Sequence, residues 1–432
     1  MVKVTRSEPV LVHAAGDAAV TVTEDYYFLS NLDQNVDVLM KTVHVFNSSS
    51  EAHSHNAATL IRESLSTVLS YYYPFEGALA VRPDGRLAVR NDRRGVPFVE
   101  AAADYELREV TDVSAPCAAE VLADLVYVDM DSENALEAPL LTVQVTTFRC
   151  GGFVLGLAMN HCLADGQSAA AFLCSWAETA RGVPLSTSPY HDRTLQSARS
   201  VPTVCFPHDE FTEIEDVSDI AGTFGNMPCV YRSFTFDAGK LERLKKAASE
   251  DASATTCSTF VALTAFVWVA RTRALRMRPE QKSKLLFAVD GRRRVNPPLP
   301  DGFWGNAVVF ACCMSYASDL LSRPLSAASR SIKDAISRTD NAFIRSVVDY
   351  IELNRVARPS LTATTLVTAW NRLGFRTADF GWGEASHSGP AELPHKEVVM
   401  ILRGVRDSQS MVLVVGLPLP CVQAFQEMVD QL

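Results

Sequence analysis

The alternation of apolar and polar residues predicts mixed strands and helices in the first half of the chain. Residues 36–46 have the β-branched alternation of a strand, whereas the apolar positions of 57–72 recur at helical spacing. Residues 144–149 and 153–160 are apolar runs separated by a double glycine, which predicts two adjacent strands. A helix is predicted over 167–181, where apolar residues share one face.

The second half of the chain repeats this alternation after a segment that interrupts it. Residues 184–228 hold five prolines and an acidic stretch, and we interpret them as a long crossover between two domains. The predicted domains are therefore residues 1–185 and 229–432, joined by the crossover at 186–228. The elements predicted beyond the crossover are strands over 231–236, 285–290, 397–402 and 411–415, and helices over 238–249, 258–275 and 422–432.

The composition is that of a globular protein. Its 432 residues, 47% hydrophobic and 21% charged, are enough for two domains of about 200 residues each. The formal net charge of −10 argues against non-specific binding to nucleic acid. The sequence has no apolar run long enough for a transmembrane helix, and its N-terminus lacks the apolar segment of a secretory signal. A soluble cytoplasmic protein is therefore expected.

The cysteines and histidines show no metal-binding spacing. The ten cysteines are scattered without CxxC pairs, and we interpret them as mostly reduced, buried side chains. His53 and His55 lie close together, but no third ligand stands near them in the sequence, so we interpret them as polar loop residues. No metal ion is predicted.

The candidate chemistry begins at the end of the predicted strand 153–160. His161 and Asp165 follow it in the run NHCLADG, where a turn of small residues would present the imidazole at a rim. A histidine can take a proton from an alcohol or amine near neutral pH, provided that something fixes its ring. Asp165 could fix the ring directly, or it could hold the turn by other contacts, and both arrangements fit the sequence.

A second motif, DFGWG at residues 379–383, stands more than two hundred residues after His161. An HxxxD motif followed by DFGWG in this order resembles the plant acyl-CoA-dependent acyltransferases of the BAHD family, and the resemblance covers essentially the whole chain. It implies an α/β fold of two similar mixed-sheet domains, like that of chloramphenicol acetyltransferase, with a channel between the domains.

The resemblance also implies roles for individual residues. His161 would be the general base in the middle of the channel, and Asp165 and Trp370 would complete the catalytic set, with Trp370 near the oxyanion of the tetrahedral intermediate. Ser258 and Thr259 resemble a family segment at the mouth that receives CoA. No cofactor is expected to be bound permanently, since the acyl-CoA is a co-substrate.

The DFGWG motif is expected to be structural. By resemblance, Asp379 would pair with an arginine of the basic run VDGRRR, and Arg292 is the first candidate. Because an arginine and a carboxylate form a geometrically specific fork, the pair would fix the loop of Gly381, Trp382 and Gly383. Replacing Asp379 would then damage folding more than proton transfer.

Two further features bear on the substrates. Residues 271–294 hold nine basic side chains, which could steer the phosphates of CoA or could be a solvated helix end and loop. Residues 303–306 read FWGN where the family commonly has YFGN. The larger Trp304 would narrow a substrate pocket if its side chain faced the channel, and the chemistry of His161 would be unchanged.

Weaker similarity in three segments narrows the range of expected acceptors. Residues 27–35, 72–74 and 151–156 resemble enzymes that transfer feruloyl or caffeoyl groups from CoA to ω-hydroxy fatty acids or fatty alcohols. The predicted activity is therefore hydroxycinnamoyl transfer to the hydroxyl of such a lipid, without a covalent intermediate. The alternatives are N-acylation of a polyamine or aryl amine, O-acylation of a small acceptor such as shikimate, and a non-catalytic acyl-CoA-binding regulator. A monomer is expected, because the site lies within one chain.

Overall fold

The structure is a computed structural model. It describes residues 4–16, 25–34, 36, 38–48, 57–109, 122–129, 135–249, 257–404, 407 and 409–432. The strands are β1 (Val4–Arg6), β2 (Val10–Val12), β3 (Tyr26–Phe28), β4 (Leu39–Phe46), β5 (Ala78–Val81), β6 (Leu87–Arg90), β7 (Val96–Ala103), β8 (Leu141–Phe148), β9 (Phe153–Asn160), β10 (Cys229–Phe236), β11 (Lys282–Asp290), β12 (Val308–Tyr316), β13 (Thr364–Ala369), β14 (His387–Pro390), β15 (Val398–Arg403) and β16 (Met411–Pro418).

The helices occupy mainly the second half of the chain. They are α1 (Asn31–Gln34), α2 (Ala57–Leu69), α3 (Gly166–Ala180), α4 (Ile220–Asn226), α5 (Ala238–Ala248), α6 (Thr259–Ala274), α7 (Ala317–Ser322), α8 (Leu325–Arg338), α9 (Asn341–Leu353) and α10 (Leu419–Asp430). Short 3-10 helices cover Tyr73–Glu76, Leu107–Glu109, Ala135–Glu137, Arg193–Gln196 and Gly374–Thr377. Within the described residues, no helix combines the length and the apolarity that a bilayer crossing requires.

Two mixed sheets organise the molecule. The N-terminal sheet has the order β1-β7-β8-β9-β4-β14, with β2 also paired to β7, and its β7–β8 pair is parallel. The C-terminal sheet has the order β10-β16-β15-β13-β11-β12, in which β13 lies parallel to both neighbours. A small third sheet has the order β3-β6-β5. The predicted α/β class with two mixed-sheet units is confirmed.

The predicted strand pair before His161 is present as β8 and β9. These strands are antiparallel, and almost all of their residues are buried. This is expected for apolar strands inside a sheet that is covered by helices. The turn between them needs glycine at Gly151, where φ is 81°. His161 follows directly at the other end of β9, after Asn160.

The two halves of the chain exchange segments. The strand β14 pairs with β4, so residues 387–390 belong to the N-terminal sheet. The aromatic rings of Phe380 and Trp382 also pack in the N-terminal hydrophobic core, whereas Leu32 packs in the C-terminal core. Burial of these rings therefore places the DFGWG motif against the N-terminal half, although it follows the crossover in the sequence, and the domain bounds 1–185, 186–228 and 229–432 stay a prediction.

Candidate active site

His161 lies in a tight turn between β9 and α3. Its backbone N–H donates to the carbonyl oxygen of Val38 at 2.8 Å, just before β4 begins. The turn is closed by hydrogen bonds from Leu163 to Asn160 and from Ala164 to His161, both of 3.2 Å. The imidazole is partly exposed and lines a narrow cavity. The backbone hydrogen bonds of this turn therefore fix the position from which the His161 side chain projects.

The ring of His161 is oriented by Asn306. The imidazole Nδ1 lies 3.0 Å from the Asn306 Oδ1. The Asn306 amide nitrogen donates to the Asp33 carboxylate and to the carbonyl oxygen of His161, both at 2.8 Å, and neither oxygen can donate in return. Oδ1 must then face the imidazole, so Nδ1 carries the proton. The other nitrogen, Nε2, keeps its lone pair, which is the form that a general base needs.

A buried ion pair holds the Asn306 side chain in place. Asp33 and Arg193 lie 3.1 Å apart, and both side chains are fully buried. Burial opposes the charge on Arg193, but the Asp33 carboxylate together with Tyr27 and Cys162 keeps the Arg193 pKa above its ordinary value. The guanidinium also donates to the carbonyl oxygens of Cys162 and Leu163, at 3.2 and 2.5 Å. Arg193 therefore holds both Asn306, through Asp33, and the turn that follows His161.

Replacing Asn306 tests its effect on the imidazole. Asn306→Ala removes the acceptor that keeps the proton on Nδ1, so we expect kcat to fall by about 10- to 100-fold. Steady-state kinetics measures the loss, and Asn354→Ala, an exposed amide at the end of α9, is the matched control. A loss of rate that only parallels a loss of folded protein in thermal unfolding would contradict this positioning role.

Asp165 does not orient the imidazole. Its buried carboxylate accepts hydrogen bonds of 2.8–3.0 Å from Arg292, Ser168 and the backbone of Ala307. The bond from Ser168 also caps the N-terminus of α3. Burial opposes ionisation, but Arg292 and these N–H donors hold the Asp165 pKa below its ordinary value. Of the two arrangements that fit the sequence, the structure has the second. The assignment of Asp165 as a catalytic residue is corrected to that of a positioning residue.

The predicted pairing of Asp379 with Arg292 is wrong. Arg292 instead forms a fork with Asp165, across the two halves of the chain, with contacts of 2.8 and 2.9 Å. Asp379 lies near Arg181, at 3.8 Å, and the Arg181 guanidinium donates to the Asp379 carbonyl oxygen. Arg292 pairs with Asp165 because the Asp165 carboxylate is almost fully buried and loses more water on folding than the partly exposed Asp379 carboxylate. Its charge therefore requires a partner more strongly.

The contacts of the DFGWG motif support a structural role. The Asp379 Oδ1 accepts from the backbone N–H groups of Gly381 and Gly383 at 2.7 and 2.8 Å, and both glycines have positive φ. This compact turn presents Phe380 and Trp382 to one side. Both rings are buried against N-terminal aromatics, with Trp382 at 5.1 Å from the Phe153 ring, so the motif anchors its loop beside β9.

Trp370 is brought to the same cavity as His161. The cavity is otherwise mainly apolar and is lined by Met40, Thr42, Leu157, Met159, His161, Ala164, Asp165, Gly166, Ala169, Trp370 and Phe375. Trp370 and Phe375 also line a second cavity of about 360 Å³, which contains three arginines and one glutamate: Arg372, Arg376, Arg403 and Glu384. A volume of this size is within the range of small-molecule sites, and Trp370 and Phe375 line both cavities.

The other sequence-predicted features lie elsewhere or are internal. Ser258 caps α6, and Thr259 is the first residue of that helix. The basic run 271–294 is not one surface patch, since Arg271, Lys284 and Arg292 are largely buried. His53 and His55 lie outside the described residues. Within the described part of the chain, no group of three metal-ligating side chains is found.

Trp304 does not narrow the channel. Its ring is 1% exposed and packs in the N-terminal core against Tyr72 and Phe75, at 5.4 and 5.2 Å between ring centroids. The Arg193 guanidinium lies over its face at 5.1 Å. Trp304 therefore contributes to the core next to Asn306 and lines neither of the two cavities beside Trp370.

Other buried histidines are poor candidates for the base. Burial lowers the pKa of His44 to about 3 and that of His387 to about 4, with a smaller effect of neighbouring charge on each. His208 lies between Glu210 and Ser346 at 2.9 and 2.8 Å, which resembles the bonding of a nucleophile triad. His208 and Ser346 are 2% and 0% exposed, so this cluster is closed to substrates. Its hydrogen bonds instead attach the crossover to α9.

The sequence patterns alone do not place Asn306, Asp33 or Arg193 beside His161. Asn306 and Asp33 are 273 residues apart, and only the folded chain brings them together. The sequence does hold a signal, because Asp33 lies within residues 27–35 and Asn306 ends the segment 303–306, and both segments bear on the family resemblance. Their polarity inside otherwise apolar surroundings is what marks them.

Comparisons with known proteins bear on the family of this chain. A profile of the Transferase family matches residues 3–432. The chain is 45% identical to the omega-hydroxypalmitate O-feruloyl transferase of Arabidopsis thaliana over 98% of this chain and 92% of the relative. It is also 45% identical to the fatty alcohol:caffeoyl-CoA acyltransferase of Arabidopsis thaliana, over 99% of this chain and 98% of the relative.

Among solved structures, vinorine synthase has the same fold. It superposes with a TM-score of 0.76 at 20% identity, covering 98% of this chain and 96% of the other. The HxxxD turn, the distant DFGWG loop and the full-length family match thus agree with one another. The chain belongs to the Transferase family, the acyl-CoA-dependent acyltransferases known as BAHD enzymes.

Proposed function

We propose that this protein transfers a hydroxycinnamoyl group, such as feruloyl or caffeoyl, from CoA to the hydroxyl of a long-chain ω-hydroxy fatty acid or fatty alcohol. The observation that carries the proposal is the 45% identity to two transferases whose names specify these substrates. The geometry at His161 supports the same chemistry, because its Nε2 is the unprotonated nitrogen. The base and its supporting residues come from one chain, so we also propose that the monomer is competent.

The proposed reaction needs no covalent intermediate on the protein. His161 Nε2 takes the proton of the acceptor hydroxyl while the hydroxyl oxygen attacks the carbonyl carbon of the thioester. The tetrahedral intermediate then collapses, the C–S bond breaks, and the sulfur leaves with the electron pair. His161 returns its proton to that sulfur, so the products are the ester and CoA and the imidazole is again neutral.

Trp370 is the proposed donor to the oxyanion. Its indole Nε1 lies 3.8 Å from the point where a Cβ on Gly166 would stand, at the N-terminus of α3. The indole N–H and the positive end of the α3 dipole both favour negative charge there. Trp370→Phe keeps an aromatic ring and removes the N–H, so we expect kcat to fall about 100-fold with little change in the KM for the thioester. An unchanged kcat would leave Trp370 as a packing residue.

Ser258 and Thr259 are the proposed contacts for CoA. Ser258 is exposed, and its hydroxyl oxygen accepts from the backbone of Val261 at 3.2 Å. Its hydroxyl proton remains available to donate. The N-terminus of the 16-residue helix α6 also favours an anion, which suits the phosphate groups of CoA.

The surroundings of His161 favour an apolar alcohol over a cationic amine. The wall nearest the imidazole is formed largely by aliphatic and thioether side chains, including Met40, Leu157 and Met159. In the adjoining cavity, three arginines face one glutamate. A polyamine would meet like charge there and would lack the carboxylates that its ammonium groups need.

The test is thioester consumption by the purified protein with feruloyl-CoA. The acceptors offered in parallel are ω-hydroxypalmitate, hexadecanol, spermidine and shikimate. We expect turnover with the two lipid alcohols and the corresponding esters by mass spectrometry. Turnover only with spermidine would favour N-acylation, and turnover only with shikimate would favour a small acceptor. A folded protein that binds the thioester without turning over any acceptor would favour the non-catalytic regulator.

A further inference from the structure

Two surface loops are joined at the C-terminal end of α9. One is the β5–β6 hairpin, residues 82–86, and the other is the segment 354–361 that follows α9. The Arg355 guanidinium donates to the carbonyl oxygen of Asp84 at 2.7 Å. The Glu352 carboxylate forms ion pairs with the guanidinium groups of Arg86 at 2.5 Å and Arg355 at 3.2 Å. These pairs join the same two loops. The loops therefore present one continuous surface.

This surface combines aliphatic and basic side chains. Three aliphatic residues project from it into solvent: Val81 is 55% exposed, Leu353 is 60% exposed and Val356 is 92% exposed. Arginines 82, 355 and 358 are also exposed beside them. Single exposed aliphatic residues are ordinary on a protein surface, but here three lie on two joined loops that also carry exposed arginines, so the surface offers both apolar and basic groups.

The local charge is opposite to that of the whole chain. Segments 81–86 and 352–361 contain four arginines and two carboxylates, a formal charge of +2, whereas the protein has a net charge of −10. Both carboxylates, Asp84 and Glu352, already lie within ion-pair distance of arginines in these segments. The exposed charge of this surface is therefore mainly positive.

We propose that this surface docks on membranes that carry anionic headgroups. We define the docking surface as Val81, Arg82, Leu353, Arg355, Val356 and Arg358. Aliphatic side chains that enter the headgroup region, flanked by arginines that meet anionic lipids, are the combination that holds peripheral proteins at a bilayer.

The docking surface is connected through α9 and α1 to the residues that orient His161. In α9, the carbonyl oxygen of Val348 and the carboxylate of Glu352 accept from the Asn31 amide, at 2.9 and 3.0 Å. Asn31 belongs to the same short helix as Asp33, which holds Asn306 and so orients His161. Docking would bring this side of the molecule to the bilayer. The proposal does not depend on which acceptor is acylated.

The test is co-sedimentation of the full-length protein with vesicles, without acyl-CoA or acceptor. Vesicles of phosphatidylcholine alone are compared with vesicles that also contain phosphatidylserine. We expect binding to the anionic vesicles that weakens as salt is raised. Val356→Asp should lower the partition coefficient about tenfold or more, since it replaces an inserting aliphatic group by a charge. Arg82→Gln with Arg358→Gln should lower it by a similar factor.

The matched control is Leu419→Asp, because Leu419 is 52% exposed at the start of α10, against the edge strand β10. It should bind anionic vesicles like the parent protein. No binding by the parent, or an equal loss in the Leu419 variant, overturns the proposal. Concentration-dependent self-association that is lost in Val356→Asp would instead identify the surface as an interface between copies. Acyl transfer is assayed separately without vesicles, so failure of one proposal leaves the other testable.

Discussion

His161→Ala is expected to reduce kcat/KM for acyl transfer by about 1000-fold. The substitution removes the nitrogen that takes the acceptor proton, and a positioned base contributes about 100- to 10,000-fold in comparable reactions. The fold should survive, because the backbone N–H of His161 still bonds to Val38 and its carbonyl oxygen still accepts from Asn306. The side chain itself gives up the hydrogen bond between its Nδ1 and the Asn306 Oδ1.

The measurement is release of free thiol from the acyl-CoA, with thermal unfolding recorded on the same samples. His395→Ala is the matched control, since His395 is exposed and lies outside both cavities. It should keep the parent rate. A His161→Ala variant that remains folded and retains a rate within tenfold of the parent would exclude His161 as the base, whatever the acceptor.

Arg292→Gln is expected to destabilise the protein by about 3–5 kcal/mol, because it leaves a buried carboxylate without its counter-charge. The Asp165 side chain is 1% exposed, and Arg292 supplies two of its hydrogen bonds. The same guanidinium donates to the Gly305 carbonyl oxygen at 3.0 Å, next to Asn306. Activity should therefore fall together with stability, since the pair joins the HxxxD turn to the FWGN segment.

The control for this prediction is the neighbouring arginine. Arg293 pairs with Asp301 at 2.7 Å, but the two side chains are 75% and 80% exposed, and exposed pairs contribute little. The unfolding curve of Arg293→Gln should therefore superpose on that of the parent. Chemical unfolding curves of the two variants provide the comparison. Equal stability of Arg292→Gln and Arg293→Gln would show that the buried fork does not support the fold.

Acid should weaken the same fork. The pKa of Asp165 is lowered in the folded protein, against an unfolded value of about 3.9. A lowered carboxyl pKa adds stability that is present above the unfolded pKa and is lost as the pH falls through the folded value. The contribution of the Asp165–Arg292 pair is therefore intact at neutral pH and decreases only in strongly acidic solution.

The sequence determined the family, the alternation of strands and helices, and the position of the base. Apolar runs of strand length and a crossover rich in proline are local patterns, so periodicity and turn chemistry were enough to find β8, β9 and α3. His161 was identified because it follows one of these strands within a recognisable motif. The elements between residues 291 and 396 were not predicted, and β12, α8 and α9 lie there.

Only the tertiary structure decided which charged groups pair. Asp165, Asp379 and Arg292 are all present in the motifs, and the sequence does not rank the two carboxylates as partners for the arginine. The carboxylate that loses more water on folding requires the counter-charge more strongly, and burial is a property of the folded core. For this reason Arg292 pairs with Asp165, and Asp379 instead caps the glycine turn of its own loop.

The tautomer of His161 was likewise determined by residues that are distant in the sequence. Local sequence provided the imidazole and the turn, whereas the acceptor for its Nδ1 proton comes from Asn306 and the orientation of that amide from Asp33. The sequence by itself thus determined which side chain can act as a base. The tertiary structure decided which nitrogen is free to do so, because hydrogen bonds between residues far apart in the chain form only when the two sheets pack together.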